Sequence, residues 1–406
     1  MTFVFYIFAV LLIWLSYRSL RGGFDYLNYF KQELSKSRPV FTPFVSIIAP
    51  CKGLDDGLEQ NLAALLDQDH PSYEVIFVVD NANDDAVGVI DRISGKDAES
   101  AKRSRIVIAP IATTSSQKVE NLREAVRHVS DRSEAFVFVD SDARPSRTWL
   151  RDLVGPLADE SVGATTGYRW FISQKPSLAS ELRNIWNASI ASALGPNTKD
   201  NFCWGGSMAI RRDTFERLNI REKWSGTLSD DFTVTRAMNA ANLPIVFVPQ
   251  ALTASLENCT FGQMLEFTTR QMKITRVYSP RLWVLSFVGS GLFCAVMIAG
   301  FCIVLFSNHN TLTVWAAIAT LLTVSAFSIG KSWLRLKAVR LVLKTYEEQL
   351  QRQVFPQCSL WLLSPFIFLY NCVAALLSRR MAWRGIEYQM VSAAETKIVN
   401  KATDAI

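Results

Sequence analysis

The sequence has few of the residues that build zinc or disulfide sites. Its 406 residues include only three histidines, His70, His128 and His309, which lie far apart. An ordinary zinc site is therefore not expected. The seven cysteines form no C-x-x-C pair, and such an odd, unpatterned set argues against a disulfide framework and fits a reducing compartment. No basic motif is interleaved with aromatic residues, so no nucleic-acid partner is expected, and no protein partner is predicted.

Charge is also missing from four long segments. These segments are residues 1–17, 282–306, 311–330 and 359–378. A helix that spans a membrane needs about 20 apolar residues, so we predict an N-terminal membrane anchor over residues 1–22 and a membrane region over residues 281–378. A cleaved signal peptide is the alternative for the first segment, but that segment has neither a basic n-region nor an A-x-A site.

The basic residues of a chain with net charge +6 gather beside these segments. Arg18 and Arg21 follow the first one, and residues 331–357, rich in Lys and Arg, are predicted as a cytoplasmic helical segment. If residues 359–378 span the membrane, the arginines that follow lie on the opposite side from the other basic residues. A re-entrant or interfacial hairpin is therefore the alternative for residues 359–378.

Between the anchor and the membrane region, strand-like and helix-like blocks alternate. Strands are predicted at residues 45–50, 73–80, 105–110 and 135–139, and helices at residues 55–66, 84–93 and 118–129. Further strands are predicted at 163–171 and 207–212, a helix at 230–241, and a polar loop at 98–105. This rhythm predicts an α/β domain over residues 42–280, with a mostly parallel sheet and helices on both faces.

Two carboxylates follow the apolar strand at residues 135–139. Asp140 and Asp142 are one residue apart, and residues i and i+2 of a strand point to the same side. Ligands of open α/β sheets bind at this end of the strands. Two close carboxylates favour a hard cation with oxygen ligands, such as Mg²⁺ or Mn²⁺. The pattern therefore predicts a divalent metal and a substrate that carries phosphate.

Other acidic residues fall at comparable positions. Asp80 ends the second predicted strand and is followed by Asp84 and Asp85, and Asp230 and Asp231 begin a later helix. Each could simply cap a helix, because Asp is favoured at N-terminal caps. Taken together with the Asp140–Asp142 pair, they predict one shared site at the edge of the sheet.

A series of motifs resembles one known family. In chain order they are PCKGLDDGLEQNL, QDHPSYEVIFVVDNANDDA, KVENL, FVDSDA, CWGGSMAIRRD, LSDDF, a degenerate R-x-x-R-W and MAWRGIEYQM. Their order and spacing, and the apolar segments around them, resemble the inverting GT-A glycosyltransferases of families 2 and 21, in particular the ceramide glucosyltransferase branch. The resemblance implies a GT-A nucleotide-sugar-binding domain between an N-terminal anchor and a C-terminal helical membrane region.

The resemblance also implies substrates and roles. The sugar donor would be a UDP-sugar, the cofactor Mg²⁺ or Mn²⁺ held by Asp140 and Asp142, and the acceptor a lipid such as ceramide. Asp231 would be the catalytic base that deprotonates the acceptor hydroxyl. The residues matched to the nucleotide-sugar site are Pro50, Lys52, Asp80, Asp85, Lys118, Asn121, Asp140 and Arg270. Those matched to the acceptor side or its surroundings are Trp204, Gly205, Gly206, Asp230, Lys273, Trp383 and Arg384.

One motif departs from the family pattern. The family has (Q/R)-x-x-R-W, whereas Lys273 and Ile274 follow Arg270 here. Lysine keeps the charge but loses the bidentate fork of arginine, which puts the acceptor in doubt. A processive polysaccharide synthase, a polyprenyl-phosphate glycosyltransferase and a catalytically silent membrane scaffold remain alternatives.

Two further segments and the location also follow from the pattern. Residues 180–194 are interpreted as an interfacial helix or, equally, a core helix. The tail at residues 379–406, with its Trp383-Arg384-Gly385 segment, is interpreted as a lid over the acceptor entrance or an interfacial anchor. The expected location is a bacterial inner membrane or a Golgi- or ER-type membrane, with the catalytic domain in the cytoplasm.

Overall fold

The computed structural model describes residues 2–36, 40–307 and 311–401, which form two compact units. The sheet unit comprises Gln32–Ile172, Ala193–Glu257 and the residues from Arg379 onward. The membrane-helix unit comprises the residues up to Lys31, Ser173–Ser192 and Asn258–Ser378. Residue 1 of the predicted anchor, residues 308–310 of the membrane region and residues 402–406 of the tail lie outside the described residues.

Twelve strands and sixteen α-helices are found in the described ranges. The strands are β1 Val45–Pro50, β2 Tyr73–Val79, β3 Ser104–Ile108, β4 Ala135–Phe138, β5 Ala164–Thr166, β6 Arg169–Phe171, β7 Met208–Arg211, β8 Ile245–Phe247, β9 Thr253–Ser255, β10 Arg380–Trp383, β11 Ile386–Ser392 and β12 Glu395–Lys401. The helices are α1 Thr2–Ser35, α2 Leu58–Leu66, α3 Asp85–Ser94, α4 Ala98–Arg103, α5 Gln117–Ala125, α6 Trp149–Val154, α7 Leu178–Ala191, α8 Arg212–Arg217, α9 Ile220–Lys223, α10 Asp230–Ala240, α11 Phe261–Tyr278, α12 Pro280–Phe306, α13 Leu312–Val342, α14 Glu347–Arg352, α15 Val354–Ser359 and α16 Ser364–Leu377.

The sheet unit is built on a seven-stranded sheet in the order β3-β2-β1-β4-β7-β5-β8. Strands β3, β2, β1 and β4 are parallel, and Ile48 of β1 lies opposite Ile76 of β2 and Phe138 of β4. Strand β7 runs antiparallel to both of its neighbours, while β5 and β8 are parallel. The predicted α/β class with a mostly parallel sheet is confirmed.

Both faces of this sheet are buried. On one face, Ile48, Ile76 and Phe138 share a core with Val119 and Leu122 of α5 and with residues of α8 and α10. The residues that alternate with them along the strands, such as Ile47, are also fully buried. Because successive side chains of a strand point to opposite faces, the sheet is covered on both sides.

Two sequence predictions about elements are wrong. Residues 98–105 form helix α4 and the start of β3, because Asp97 caps the helix by accepting from the Ser100 N–H at 2.7 Å. Residues 163–171 form two strands rather than one. The strand is interrupted at Gly167, between β5 and β6. A Cβ on Gly167 would lie 2.1 Å from the Ala251 carbonyl oxygen.

The tail forms a three-stranded antiparallel sheet, β10-β11-β12, within the sheet unit. Arg384 and Gly385 join β10 to β11 with φ values of 50° and 75°, as in the two-residue turns that favour Gly at the second position. The Tyr388 hydroxyl of β11 accepts a hydrogen bond from the Gln117 N–H at 3.1 Å. This sheet therefore docks at the N-terminus of α5.

Among the described residues, three helices are long and apolar enough to cross a membrane: Phe3–Ser35, which belongs to the membrane-helix unit up to Lys31, and Pro280–Phe306 and Leu312–Val342 of the same unit. They share a core in which Phe5 and Leu12 of α1 pack with Phe293 and Met297 of α12. The hydroxyls of Tyr6 and Thr313 lie 3.0 Å apart. The apolar segments predicted for an integral membrane protein are therefore helical.

The segment predicted at residues 359–378 is bent. Its helices Val354–Leu362 and Ser364–Leu377 meet at 57°, which fits either a broken span or a re-entrant loop. Asn371, a polar interruption of this apolar run, accepts hydrogen bonds from the hydroxyls of Thr268 at 3.3 Å and Thr269 at 2.9 Å. The asparagine therefore joins α16 to α11.

Helix α7 is a core helix rather than an exposed interfacial one. Its Trp186 is buried and stacks on Phe368 with ring centroids 4.9 Å apart. Leu182 packs with Met264 of α11. One acidic residue, Glu181, is buried among these helices, and its Oε2 atom has no hydrogen-bond partner.

Burial raises the pKa of Glu181 to about 7, so the protein is expected to lose stability as the pH rises from 5 to 8. The raised pKa means that the folded state holds this proton over a pH range in which the unfolded chain releases it. Glu181→Gln keeps the shape without the ionisation and is expected to be about 2–3 kcal/mol more stable than wild type at pH 8. At pH 5 the two proteins should differ little.

Thermal unfolding in detergent at pH 5 and pH 8 measures this difference. Glu348→Gln, at an exposed glutamate of the same unit, is the control and should leave the pH dependence unchanged. Equal pH dependence of Glu181→Gln and wild type would contradict the prediction.

Candidate functional site

The predicted acidic residues of the sheet unit lie at one edge of the sheet. Pro50 ends β1, Asp80 directly follows β2, and Asp140 comes two residues after β4. Because β2, β1 and β4 are adjacent and parallel, their carboxyl ends meet at this edge. It is the edge where α/β sheets bind ligands.

The Asp140–Asp142 pair is brought together in a different way from the one predicted. Strand β4 ends at Phe138, so both aspartates lie in the turn beyond it, and strand alternation does not place them. Arg169 of β6 bridges them instead, with its Nη2 2.9 Å from Asp140 Oδ2 and its Nη1 2.8 Å from Asp142 Oδ2. Burial opposes the ionisation of Asp142, but the charge and the hydrogen bond of Arg169, together with the charge of Arg384, outweigh burial, and the pKa of Asp142 is lowered.

Lys118 links this pair to the third acidic cluster. Its Nζ lies 2.7 Å from Asp140 Oδ1 and 3.2 Å from Asp230 Oδ1. Burial disfavours the charge of Lys118, but the neighbouring aspartates outweigh it and hold its pKa above the usual range. Burial raises the pKa of Asp230 to about 6, although Lys118 opposes this shift. Lys118 thus connects the end of β4 to the start of α10.

The two glycines of the CWGGSM motif leave room for these charges. A Cβ on Gly205 would lie 2.3 Å from Asp230 Oδ2 and 2.9 Å from Lys118 Nζ. A Cβ on Gly206 would lie 2.2 Å from the Trp204 ring and 2.8 Å from Asp140 Oδ2. The space at both positions is therefore filled by side chains of the site itself.

Gly205→Ala is expected to destabilise the protein by about 1–3 kcal/mol, because the added methyl group overpacks the Asp230–Lys118 contact. Gly195→Ala is the matched control in the same unit, since no atom lies within 4 Å of a Cβ there. Thermal unfolding of the two variants tests this. Equal unfolding temperatures for the two alanine variants would contradict the prediction, because they would mean that Asp230 and Lys118 accommodate the added methyl group without loss of stability.

Asp231 occupies the first turn of α10 beside Asp230. Its Oδ1 accepts a hydrogen bond from the Ser229 hydroxyl. The same oxygen accepts from the Phe232 N–H at 2.7 Å. Its Oδ2 accepts from the Gly205 N–H at 3.3 Å. These contacts fix the carboxylate, which is partly exposed, while Asp230 is buried. Asp231 can therefore meet a substrate and Asp230 cannot do so without a rearrangement.

The β1–α2 loop joins the ends of β1 and β2. Lys52 Nζ lies 2.6 Å from Asp80 Oδ2, and the Gly53 N–H donates to Asp84 Oδ1 at 2.8 Å. Asp84 also caps α3, while Asp85 is exposed in the first turn of that helix. The structure thus brings Asp84 into this loop, and the role of Asp85 stays a prediction.

Asn121 is buried on α5, where it accepts a hydrogen bond from Gln117 Nε2 at 2.9 Å. Trp204 is also buried, and the guanidinium carbon of Arg169 lies 4.6 Å from the centroid of its ring. The Trp204 ring therefore supports an arginine of the site.

The tail brings Arg384 to the same part of the sheet unit. Arg384 Nη2 lies 2.5 Å from Asp55 Oδ1, and Asp55 Oδ2 accepts from the Ser141 hydroxyl at 2.9 Å. Ser141 stands between Asp140 and Asp142. Burial raises the pKa of Asp55 even though Arg384 opposes the shift. Trp383 ends β10 one residue earlier.

Arg270 and Lys273 belong to the membrane-helix unit, on α11. Arg270 Nη1 lies 3.9 Å from Glu266 Oε1, and its guanidinium carbon lies 5.7 Å from the Phe267 ring centroid. Partial burial lowers the pKa of Lys273. The roles of both residues stay predictions.

Sequence reasoning missed Arg169, Asp55 and Tyr388. The only signal for Arg169 was an arginine set among aromatic residues, in GYRWF. Asp55 stood within a motif that carried the resemblance, without a role of its own. Tyr388 likewise stood within such a motif, MAWRGIEYQM, and was given no role.

The residues of this edge fit a divalent cation that takes some of its ligands from the protein and the others from a bound substrate or water. Asp142 Oδ1 is buried without a hydrogen-bond partner, so it offers an oxygen that a cation would satisfy. Among the described residues, no group of three or more His, Cys, Asp or Glu side chains could hold a metal ion alone. A cation here would need further oxygens from water or from a bound ligand.

The pattern of Glycosyl transferase family 21 matches residues 4–395, nearly the whole chain. The chain belongs to glycosyltransferase family 21. This family 21 member is 32% identical over 75 residues to a ceramide glucosyltransferase of Komagataella phaffii. That match covers 18% of the chain and only 15% of the relative.

The solved structures that the family 21 chain matches are more distant from it in sequence. A mannosyltransferase from Pyrobaculum calidifontis, in complex with GDP-Man and Mn²⁺, is 18% identical with a TM-score of 0.44, over 91% of this chain and 98% of that one. A glucosyl-3-phosphoglycerate synthase from Mycobacterium tuberculosis, in complex with Mn²⁺ and UDP-glucose, is 16% identical with a TM-score of 0.37, over 61% and 80%. The assignment to the family rests on the family pattern.

Proposed function

We propose that this membrane-bound glycosyltransferase moves a hexose, glucose in the first instance, from a UDP-sugar to the hydroxyl of a lipid such as ceramide. The product would be a β-glycolipid, formed by a single displacement with inversion. The observation that carries the proposal is the acidic cluster of a family 21 chain, in which Asp140, Asp230 and Asp231 surround Lys118 and Arg169 joins Asp142 to Asp140.

The sugar donor would bind at the carboxyl ends of the parallel strands. Pro50, Lys52 and Asp80 lie at the ends of β1 and β2, and Asn121 and Lys118 project from α5. Lys118 is positively charged and tightly held, so it can stabilise the negative charge of a nucleotide diphosphate. Mg²⁺ or Mn²⁺, when bound to Asp140 and Asp142, would neutralise charge on the leaving diphosphate.

Asp231 would accept the proton of the acceptor hydroxyl while that oxygen attacks the anomeric carbon. Its carboxylate is oriented by the Phe232 and Gly205 N–H groups and is partly exposed. General-base catalysis requires the base to lie within hydrogen-bond reach of the proton it takes, and a carboxylate that is held in place and partly exposed supports this proposed role. Attack from the face opposite the leaving diphosphate gives the inverted product.

The acceptor is proposed to come from the membrane. Three helices of the chain are long and apolar enough to span one, and a lipid substrate would reach the enzyme from there. Lys273 and Ile274 in place of R-W are proposed to alter the choice of acceptor. Trp204, Gly205, Gly206, Trp383 and Arg384 are proposed to shape the site.

Release of UDP by the purified full-length protein tests the reaction. We expect UDP-glucose with Mn²⁺ or Mg²⁺ to yield UDP faster when ceramide is added, and mass spectrometry to detect the glycosylated lipid. A polymer formed without lipid would indicate a polysaccharide synthase, and a product only with polyprenyl phosphate would indicate that second class of acceptor. No release with any lipid would favour a silent scaffold.

The sheet unit is proposed to face the cytoplasm, of a bacterial inner membrane or a Golgi- or ER-type membrane. Ser392 is exposed at the end of β11, so Ser392→Cys is a suitable reporter. A membrane-impermeant maleimide should label it only after the membrane is permeabilised, with the unchanged protein as background. Labelling of intact cells would contradict this orientation.

A further inference from the structure

We propose that Arg169 is a built-in counter-ion of the Asp140–Asp142 pair, which a divalent cation must displace before it can bind both carboxylates. The inference rests on the proposed role of this pair as metal ligands. It adds that the chain itself supplies a competitor for the metal.

The position of Arg169 matches that of a bridging cation. One guanidinium contacts one oxygen of each aspartate, at 2.9 Å and 2.8 Å. Hard divalent cations also prefer carboxylate oxygens as ligands, so a cation held by both aspartates would need oxygens that the guanidinium now contacts. The ion and the guanidinium would therefore compete for this pair of oxygens.

Two aromatic rings pack against the Arg169 guanidinium and hold it at this position. Only 8% of the residue is exposed, and its guanidinium carbon lies 4.6 Å from the Trp204 ring centroid and 5.4 Å from the Phe171 ring centroid. Aromatic faces attract a cation that is shielded from water. The arginine is therefore part of a built arrangement.

The remaining oxygens of the pair are unequal. Asp140 Oδ1 is bound by Lys118, whereas Asp142 Oδ1 is buried without a hydrogen-bond partner. Asp142 Oδ1 is thus the oxygen of the pair that a cation could bind without displacing a hydrogen-bond donor. A cation that binds there first would then compete with Arg169 for the other two oxygens.

A guanidinium displaced from the aspartate pair could still interact with the carboxylate of Glu257. The charge of Glu257 acts on Arg169 as well as on Arg384. Exchange of Arg169 for a metal would therefore leave the arginine near a negative charge. A nucleotide diphosphate would favour the exchange, because its oxygens fill the coordination sites that the protein leaves open.

The test measures Mn²⁺ binding to the full-length protein in detergent without any nucleotide, by electron paramagnetic resonance. Arg169→Gln removes the competing charge and is expected to bind Mn²⁺ at least tenfold more tightly than wild type. Arg144→Gln is the matched control, because Arg144 bonds to Asn61 Oδ1 and the Gly57 carbonyl oxygen rather than to the aspartate pair. It should bind Mn²⁺ as wild type does.

Arg169→Lys covers the case in which Arg169→Gln fails to fold. A single ammonium cannot bridge both carboxylates as the guanidinium fork does, so this variant should bind Mn²⁺ with intermediate affinity. Binding no tighter than wild type in the folded variant, whichever of the two is measured, would overturn the proposal. Because the assay contains no sugar donor or acceptor, its result is independent of whether sugar transfer is observed.

Discussion

Asp231→Asn is expected to lower the rate of sugar transfer by about 10²–10⁴-fold, the usual contribution of a positioned general base. The amide has the size of the carboxylate and can keep the hydrogen bond from the Phe232 N–H to Oδ1. Its nitrogen, however, cannot take the proton of the acceptor. Binding of UDP should change little, because Lys118 and the aspartates it contacts are untouched.

Initial rates of UDP release, with titration calorimetry of UDP, separate these two effects. Asp213→Asn is the control, since Asp213 lies in the first turn of α8 as Asp231 does in α10 but is exposed. It should transfer sugar at the wild-type rate. A rate for Asp231→Asn within threefold of wild type would remove Asp231 as the base.

Asp140→Asn is expected to abolish transfer and also to destabilise the fold, by about 3–5 kcal/mol. Asp140 accepts from both Lys118 and Arg169, and all three side chains are largely buried. Removing the negative charge of Asp140 leaves Lys118 and Arg169, two largely buried cations, each without one of its anionic partners. Thermal unfolding should therefore show a loss that an exposed substitution such as Asp159→Asn does not cause.

A second substitution separates the structural effect from the chemical one. Adding Lys118→Met to Asp140→Asn removes one of the stranded cations, and Asp230, with its pKa already raised to about 6, can take up a proton. We expect part of the stability to return while transfer stays absent. Wild-type stability of the single variant, or recovery of transfer in the double variant, would contradict this account.

The strands and their convergence were predictable from local pattern. β1 carries apolar residues on both faces, as Ile47 and Ile48 show, and an acidic residue directly follows β2. Such signals lie within six or seven residues of sequence, so a single chain reveals them. The same reasoning placed Asp140, Asp230 and Asp231 in one region.

The cations that organise the acidic residues were not predictable in this way. Arg169 is 29 residues from Asp140, and Arg384 is 329 residues from Asp55. No local periodicity encodes such distant pairs, which depend on the order of strands in the sheet and on the docking of the tail. The alternation rule failed for Asp140 and Asp142 for a related reason, because a turn and an arginine set their geometry.

The docking of the tail also has a consequence for biosynthesis. Chains are made from the N-terminus and fold as they emerge, so β1 to β9 are complete before α12 and α13 are made. Arg384 and Tyr388, which contact Asp55 and the start of α5, emerge only after those helices. The sheet unit is therefore completed only after the membrane helices have been synthesised. A chain interrupted before residue 380 would carry the seven-stranded sheet without the contacts of Arg384 to Asp55 and of Tyr388 to the Gln117 N–H.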